Sequence, residues 1–534
     1  MVSNDQVLKA LGLYAKLAEL HGENEFKIRA YNTAAFNLKK IREPFGELGD
    51  ADWKKIPGAN KSVIEAIGEM LHTNTFQALQ ELLEKTPSGV VELFQVKGLG
   101  PKKVSIIWHQ LGIETLDGLF NACRENRLVE VKGFGVKTQQ EILQNMEFML
   151  AAKGKWHFAK LEPLKLALKE LMEHQYPGVK YAWVGEVARC CEVVENPAII
   201  TDGEIELTEI FEGWNLQVEV VGMADFDRIC FEKTASGLHL ERIGYQGLVD
   251  WKGSETATYE SLGLPCVIAE MREPEVEKYQ FLSPEKIITF KDIKGTLHNH
   301  TTYSDGLNTL VEMADYAREM GLEYLGVCDH SQSATYANGL REDRLLQQMD
   351  EIAAYNEGMA KSGLNFRVFS GIESDILGNG DLDYPDEILA QLDLVVASIH
   401  SNLSMTEEKA MSRLIAAIEN PYTTILGHPT GRLLLLRNGY PIDHKKIIDA
   451  CVANGVVIEL NANPYRLDMD WRHLFYAIER GAMISINPDA HQLLGYHDME
   501  YGTLAARKAG VPTGNVLNTF SVSEISRYFR DRKI

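Results

Sequence analysis

Between residues 298 and 491, histidines and carboxylates recur at the ends of short apolar, β-branched runs. They are His298 and His300 in GTLHNH, Asp329 and His330 in YLGVCDH, Glu373 in FRVFSGIE, His400 in LDLVVASIH, His428 in TTILGHP, Glu459 in GVVIELN, and Asp489 and His491 in MISINPDAH. Asp305 follows the first pair in the loop TTYSDG. Imidazoles and carboxylates with no thiolate among them suit Zn²⁺, Mn²⁺ or Fe²⁺, and the set is larger than one ion needs. Any one of these histidines alone is as readily a core or capping residue; their recurrence on nearly every run argues for a shared centre. Clustered divalent ions activate water and hold phosphate oxygens, so such a centre needs no protein nucleophile. Arg432 in GHPTGR and Arg466 in NANPYRLD follow strand ends, where a guanidinium can donate two parallel hydrogen bonds to a phosphate. A surface salt bridge is the alternative role for each, and Arg437 is a weaker candidate of the same kind. Asp329, Glu459 and Asn461 are placed to orient ligands through hydrogen bonds.

Residues so far apart need a fold that gathers them. The seven runs alternate with helical segments from 292 onward, which predicts a parallel α/β barrel whose C-terminal strand ends open on one face. His298 and His300 are two apart, so a strand turns both rings to one side. Residues 1–150 read instead as short helices, with apolar stripes at 6–20, 63–71, 76–84, 90–94, 103–111, 115–122 and 138–151. From 180 to 290 the alternation is strand-like, in YAWV, LQVEVVGM and KIITF, which predicts an α+β middle. There, VGEVARCCEVVENPAII at 184–200 has the pattern of two short strands around a polar turn. A chain of 534 residues calls for three or four domains, and the pattern changes place them at 1–85, 86–152, 153–290 and 291–534.

The net charge of -22 is hostile to nucleic acid as a bare sum. Residues 1–150, however, hold 18 Lys+Arg against 19 Asp+Glu, so nearly all the excess lies in the later part, where metal ions would neutralise part of it. The seven cysteines include no CxxC pair, and Cys190 and Cys191 read as small apolar fillers. No apolar run approaches a membrane span, and the start is an amphipathic helix without a signal pattern; the cytoplasm is the expected location.

Two early segments share a form, VKGLGPKKVSIIWHQLGI at 96–113 and VKGFGVKTQQEILQNM at 131–146. In each, a Gly-apolar-Gly turn (Gly98 and Gly100, Gly133 and Gly135) opens a helix with free backbone N–H groups at its positive end. Lys102, Lys103, Lys137 and Thr138 follow directly, which makes a phosphate site without base reading. The pair resembles tandem helix-hairpin-helix motifs, and IPGANKSVIEAIGEML at 56–71 is similar to a third copy with Asn60 for the second glycine. Together with GENEFKIRAYNTAAFNLKKI it resembles the small N-terminal domain of family X DNA polymerases. The lysine that forms a Schiff base in the lyase members is matched here by Ala66, and Lys61 is not an obvious substitute.

HNH, SDG, CDH, GIESD, SIHS, GHPTGR and PDAH resemble the successive motifs of the PHP (polymerase and histidinol phosphatase) family, over about 240 residues. The resemblance implies nine metal ligands: His298, His300, Asp305, His330, Glu373, His400, His428, Asp489 and His491. It implies three ions, one on His298, His300, Glu373 and Asp489, a second on Glu373, His400 and His428, and a third on Asp305, His330 and His491, with Glu373 as the bridge. Overall the chain resembles the bacterial family X polymerases. That implies a multidomain fold: an all-α helix-hairpin-helix N-terminal half, an α+β polymerase-like middle and a C-terminal PHP distorted (β/α)7 barrel. In that family the middle holds a Gly-Ser, two arginines and three aspartates. Here Glu186 stands for the serine, Ala188 for the first arginine, Arg189 for the second, Asn196 and Ala198 for the paired aspartates, and Glu219 for the third. The expectation is therefore a DNA-binding metal-dependent phosphoesterase acting on gapped, nicked or 3′-ended DNA, without polymerase activity. An active polymerase, a small-molecule phosphatase and a DNA-end scaffold are the alternatives.

Overall fold

Helices make up the first of two units, Met1–Lys153 and Gly154–Ile534, into which the computed structural model divides; it describes residues 2–41, 43–124, 127–129, 131–208, 211, 213–274 and 284–532. The first helix, Asn4–Leu20, opens on a capping box: Ser3 Oγ accepts from Gln6 N, and the Gln6 side chain accepts from Ser3 N at 2.8 Å. Its buried stripe runs from Val7 to Leu20 and includes Tyr14, whose ring lies 4.3 Å from Tyr31 and 5.5 Å from Phe76 between centroids. Tyr31 belongs to Glu25–Leu38, a helix the sequence reading passed over. Its buried residues, Ile28, Tyr31, Ala34 and Leu38, keep helical spacing, but the polar residues between them mask it. In the third hairpin Asn60 caps Lys61–Thr73 by accepting from Val63 N at 3.1 Å, which explains why the glycine is dispensable there. Among the described residues no helix is long and apolar enough to cross a membrane.

The second unit begins with strands β1 (Trp156–His157), β2 (Tyr181–Val184), β3 (Val193–Val194), β4 (Ala198–Thr201) and β5 (Gln217–Val220). β1 pairs antiparallel with β3, while β4 lies between antiparallel β2 and parallel β5. Two expectations are corrected here. The stretch 184–200 is not a simple strand pair: Gly185, at φ +61, turns the chain into a short helix, Gly185–Ala188, before β3 and β4. KIITF forms no strand either, only an isolated bridge between Ile287 and Pro512, flanked by 3-10 turns.

The barrel follows with β6 (Gly295–Thr296), β7 (Tyr324–Val327), β8 (Arg367–Asp375), β9 (Leu394–Ser398), β10 (Ile425–Leu426), β11 (Val457–Asn461) and β12 (Ile484–Asn487), all parallel and neighbours in chain order. Both faces are covered, so the strands are buried along nearly their whole length, as their unbroken apolar runs require. The seam between β6 and β12 is closed by side-chain and bridge contacts. Asn299 bridges Ala490 beyond the strand ends. At the seam Asn518, fully buried, acts as a substitute peptide: its Nδ2 donates to Gly295 O at 3.0 Å and Ile486 O at 2.9 Å, and its Oδ1 accepts from Ile486 N at 2.7 Å. Asn518→Ala strands all three buried backbone groups, and is expected to destabilise the barrel by about 2–4 kcal/mol, read as a lower urea midpoint at unchanged slope.

Candidate functional site

All nine residues named as ligands meet at the C-terminal mouth of the barrel. Glu373, 1% exposed and two residues before the end of the longest strand, is the hub. Its Oε1 lies 3.4 Å from His298 Nε2, 3.2 Å from His400 Nε2 and 2.9 Å from His428 Nε2. Its Oε2 lies 3.6 Å from His300 Nε2 and 2.9 Å from His330 Nδ1. Asp489 Oδ1 is 2.9 Å from His300 Nε2 and 3.7 Å from His298 Nε2. Asp305 Oδ1 completes the set, 3.7 Å from His330 Nε2 and 3.4 Å from His491 Nε2. Three ligand groups with atoms within 4.8 Å of one another stand out: His300, Asp305, His330 and His491; His298, His300 and Glu373; and His330, Glu373 and His400. The first matches the expected third ion with His300 added. In the last, His330 takes the place expected for His428.

The electrostatics are those of a site built around charge. Burial works against ionisation of Glu373 and Asp489, but the surrounding imidazoles hold both well below the usual carboxylate range. Burial pushes His300 down to about 3, helped by His491 and His330. His400 goes the other way, to about 10, because Glu373 and Asp375 outweigh its burial. His298 Nε2, both ring nitrogens of His300, His330 Nδ1, Glu373 Oε2 and His428 Nδ1 are buried without a hydrogen-bond partner, half of the twelve such atoms among the described residues. Unpartnered buried polar atoms are costly, so their concentration on these imidazoles and Glu373 fits divalent ions. The nitrogen and oxygen donor set fits such ions as well.

Outside the ligands, hydrogen bonds set ring orientation. Glu459 Oε1 bonds His298 Nδ1 at 2.8 Å and its Oε2 accepts from His428 N at 2.7 Å. Asn461 Nδ2 donates to Asp489 Oδ2 at 3.1 Å. Asp329 acts through the loop that carries Asp305, accepting from Thr301 N at 2.8 Å and from Gln348 Nε2 at 2.6 Å. Asp375, which the sequence reading did not single out, bonds His400 Nδ1 and so turns Nε2 toward Glu373. The signal was present in GIESD, since residues two apart on a strand share a side.

The arginines divide. Arg432 was expected to clamp phosphate, but its fork is occupied: Nε donates to Arg466 O at 2.9 Å, and its other nitrogens bond Asp470 and Leu467 O. It fastens the loop after β11, with all three of its nitrogens engaged there rather than aimed at the ligand cluster. Arg437 is spent on Gly431 O, at 3.1 and 2.7 Å. Arg466 faces the cluster, its Nε 3.9 Å from Asp489 Oδ2.

In the helical unit Gly98 and Gly133 take φ of +91 and +106, conformations that favour glycine, and turn the chain into the helices Pro101–His109 and Val136–Ala152. Gly100 caps the first of these without a side-chain bond. Gly135, Lys102 and Lys137 are exposed; Lys103 and Thr138 are half-buried. Lys103 Nζ ties back to Gly98 O at 3.0 Å.

The middle module carries the other expected positions. Glu186 accepts from Glu195 N at 2.7 Å and Asn196 N at 3.0 Å, closing the loop rather than facing a ligand. Ala188 ends the short helix before Arg189, which is held by Glu273 at 3.1 Å and Thr234 O at 2.8 Å. Ala198 packs against the apolar cluster of Val184, Ile200 and Phe226, and Glu219 pairs with Lys233 at 2.7 Å.

Comparison with known proteins places these parts. Residues 2–76 match a helix-hairpin-helix domain, 90–145 a SAM-like helix-hairpin-helix tandem and 296–463 the PHP domain. Two probable phosphatases, from Thermoanaerobacter sp. and Thermoanaerobacter pseudethanolicus, are each 30% identical over 44% of this chain and 94% of their own length. The DNA polymerase/3'-5' exonuclease PolX of Bacillus subtilis is 33% identical over 98% of this chain and 99% of its own. Matched over nearly its whole length by that relative, and carrying helix-hairpin-helix and PHP domains in this order, the chain belongs to the bacterial family X DNA polymerases with a C-terminal PHP domain.

Proposed function

We propose that this chain hydrolyses phosphodiesters at DNA 3′ ends, as a 3′-5′ exonuclease, 3′-end cleaner or abasic-site nuclease of DNA repair, and that its polymerase activity has been lost. The observation that carries this is the ring of histidines around Glu373, in a chain that also presents two helix-hairpin-helix turns. Divalent ions, three by the ligand count and Mn²⁺ or Zn²⁺ by the donors, would activate water and neutralise charge as it builds on phosphorus. The chain's own residues do the rest. Lys102, Lys103, Lys137 and Thr138 grip phosphates along the backbone with the N–H groups beside Gly98, Gly100, Gly133 and Gly135. Arg466 orients the scissile phosphate, and Glu459 and Asp375 fix which nitrogen His298 and His400 present.

Loss of synthesis is supported by what fills the middle module. Two-metal phosphoryl transfer needs several anionic oxygens on one face. Asn196 and Ala198 offer none, Glu219 is paired with Lys233, and Arg189 is committed to Glu273. With Mn²⁺, wild type should release label from 3′-labelled gapped DNA, and His298→Ala and Asp489→Ala should lose that release. No release by wild type, or equal release by both variants, would sink the reading. The probable phosphatases, which match 44% of the chain, favour a second reading, hydrolysis of a small phosphomonoester. A kcat/KM for such a monoester that exceeds the value for DNA by orders of magnitude would establish it.

A further inference from the structure

Tyr336 is 71% exposed and belongs to no apolar cluster of the barrel, yet it sits on a tightly tied loop. Ala334 N donates to Ser331 O, Ala337 N and Gly339 N to Ala334 O, each at 3.0 Å, and Leu340 N to His330 O at 2.8 Å. Asn338, at φ +57, reaches Tyr303 O at 3.1 Å and Ser304 O at 3.3 Å. Gly339 packs so closely that a Cβ would lie 1.9 Å from Ser331 O. The loop therefore fixes the backbone beneath a bare aromatic ring whose centroid is 6.1 Å from that of the candidate ligand His330. Among the described residues the Tyr336 hydroxyl has no hydrogen-bond partner.

An exposed aromatic ring on a fixed backbone offers apolar surface whose cover by a stacked flat group is favourable. Every nucleobase offers a flat face, and stacking on an aromatic side chain is tolerant of sequence. A nucleotide whose phosphate lies on the ligand cluster carries its base one sugar away, within reach of the ring beside His330. The geometry points to Tyr336 as the seat of the terminal nucleobase. A paired terminal base is held on the helix axis by its partner strand, so it has to leave the pair to reach the ring. The inference rests on the hydrolysis proposed above, because that reaction puts the phosphate on the cluster.

The test is a cycle of side chain against base. Wild type, Tyr336→Ala and Tyr336→Trp are each given, with Mn²⁺, an oligonucleotide ending in thymidine and the same oligonucleotide ending in a tetrahydrofuran unit that lacks a base. Tyr336→Ala should lower kcat/KM about tenfold or more on the thymidine end and less than about twofold on the baseless end, with Tyr336→Trp close to wild type. Equal factors on both ends, or no loss on either, overturn the seat. Because Tyr336 is exposed, its variants should keep the wild-type Tm. A binding readout separates this inference from the hydrolysis: 2-aminopurine placed at the 3′ terminus through a phosphorothioate linkage should be quenched by wild type and not by Tyr336→Ala. Quenching that depends on Tyr336 without any release by wild type refutes the hydrolysis and keeps the seat. Release that depends on His298, with rates and quenching indifferent to Tyr336, refutes the seat and keeps the hydrolysis.

Discussion

Glu373→Gln is expected to lower phosphodiester hydrolysis by about 10³-fold or more, close to 4 kcal/mol of transition-state stabilisation, with bound metal falling in parallel. The substitution keeps the volume and changes the chemistry. Both carboxylate oxygens are shared among five imidazoles, at 2.9 to 3.6 Å. An amide replaces one acceptor with a donor aimed at nitrogens that must themselves supply lone pairs, and it removes the one negative charge common to two of the ligand groups. Asp375→Asn, one bond further out, leaves the ligands in place and loosens only the His400 ring; its expected cost is about 10–100-fold. Steady-state rates on thymidine 5′-p-nitrophenyl phosphate, with metal content per chain by elemental analysis, check both. A Glu373→Gln protein with full metal content and rates within about tenfold of wild type would refute the hub role.

Lys508→Met is expected to destabilise the second unit by about 3–5 kcal/mol at pH 7, because it leaves Glu273 buried beside a single cation. The Lys508 side chain is 1% exposed and that of Glu273 6%. Lys508 Nζ bonds Glu273 and also donates to Arg189 O at 2.8 Å, while Arg189 Nε holds the other Glu273 oxygen at 3.1 Å. Burial pushes the Glu273 carboxyl up, but Lys508 and Arg189 outweigh it and bring it below its ordinary value. A depressed folded value means that the stabilisation is present above the unfolded carboxylate range and is lost as pH falls through the folded value. The gap between wild type and Lys508→Met should therefore narrow in acid. Denaturant unfolding at pH 7 and below pH 4 measures it, and a gap that is small at pH 7 or constant with pH contradicts the account. This network ties the middle module to the barrel. Arg189 belongs to the module and Lys508 to a barrel helix, and nearby Glu192 takes hydrogen bonds from Trp471 at 3.2 Å and Arg472 at 2.6 Å. Arg189, at the position that the family resemblance gives to a triphosphate-binding arginine, thus helps to fasten the module to the barrel.

The barrel was legible because parallel strands covered on both faces read as unbroken apolar runs, and the chemistry sits where each run stops. The runs overstate strand length, however. β6 and β10 pair over only two residues each, and His298 and His300 lie beyond the strand, kept extended by the Asn299–Ala490 bridge. What escaped the sequence depends on partners that are distant along the chain. Arg432 looked free because Asp470 and the carbonyls of Arg466 and Leu467 come from the loop after the next strand. KIITF looked like a strand because apolar alternation does not reveal whether an edge is available to pair with. Glu25–Leu38 was hidden by its exposed face, which carries Phe26 and Phe36 among polar residues and blurs the stripe.

The central claim assigns the chemistry to the barrel mouth and none to the middle module. Its most direct test is a primer annealed to a longer template, labelled at the primer's 5′ end and incubated with Mn²⁺ and all four deoxynucleoside triphosphates. The account predicts a ladder of shortened primers and no extended product, with the ladder abolished by Asp489→Ala. Extension of the primer, or shortening that survives Asp489→Ala, would contradict it.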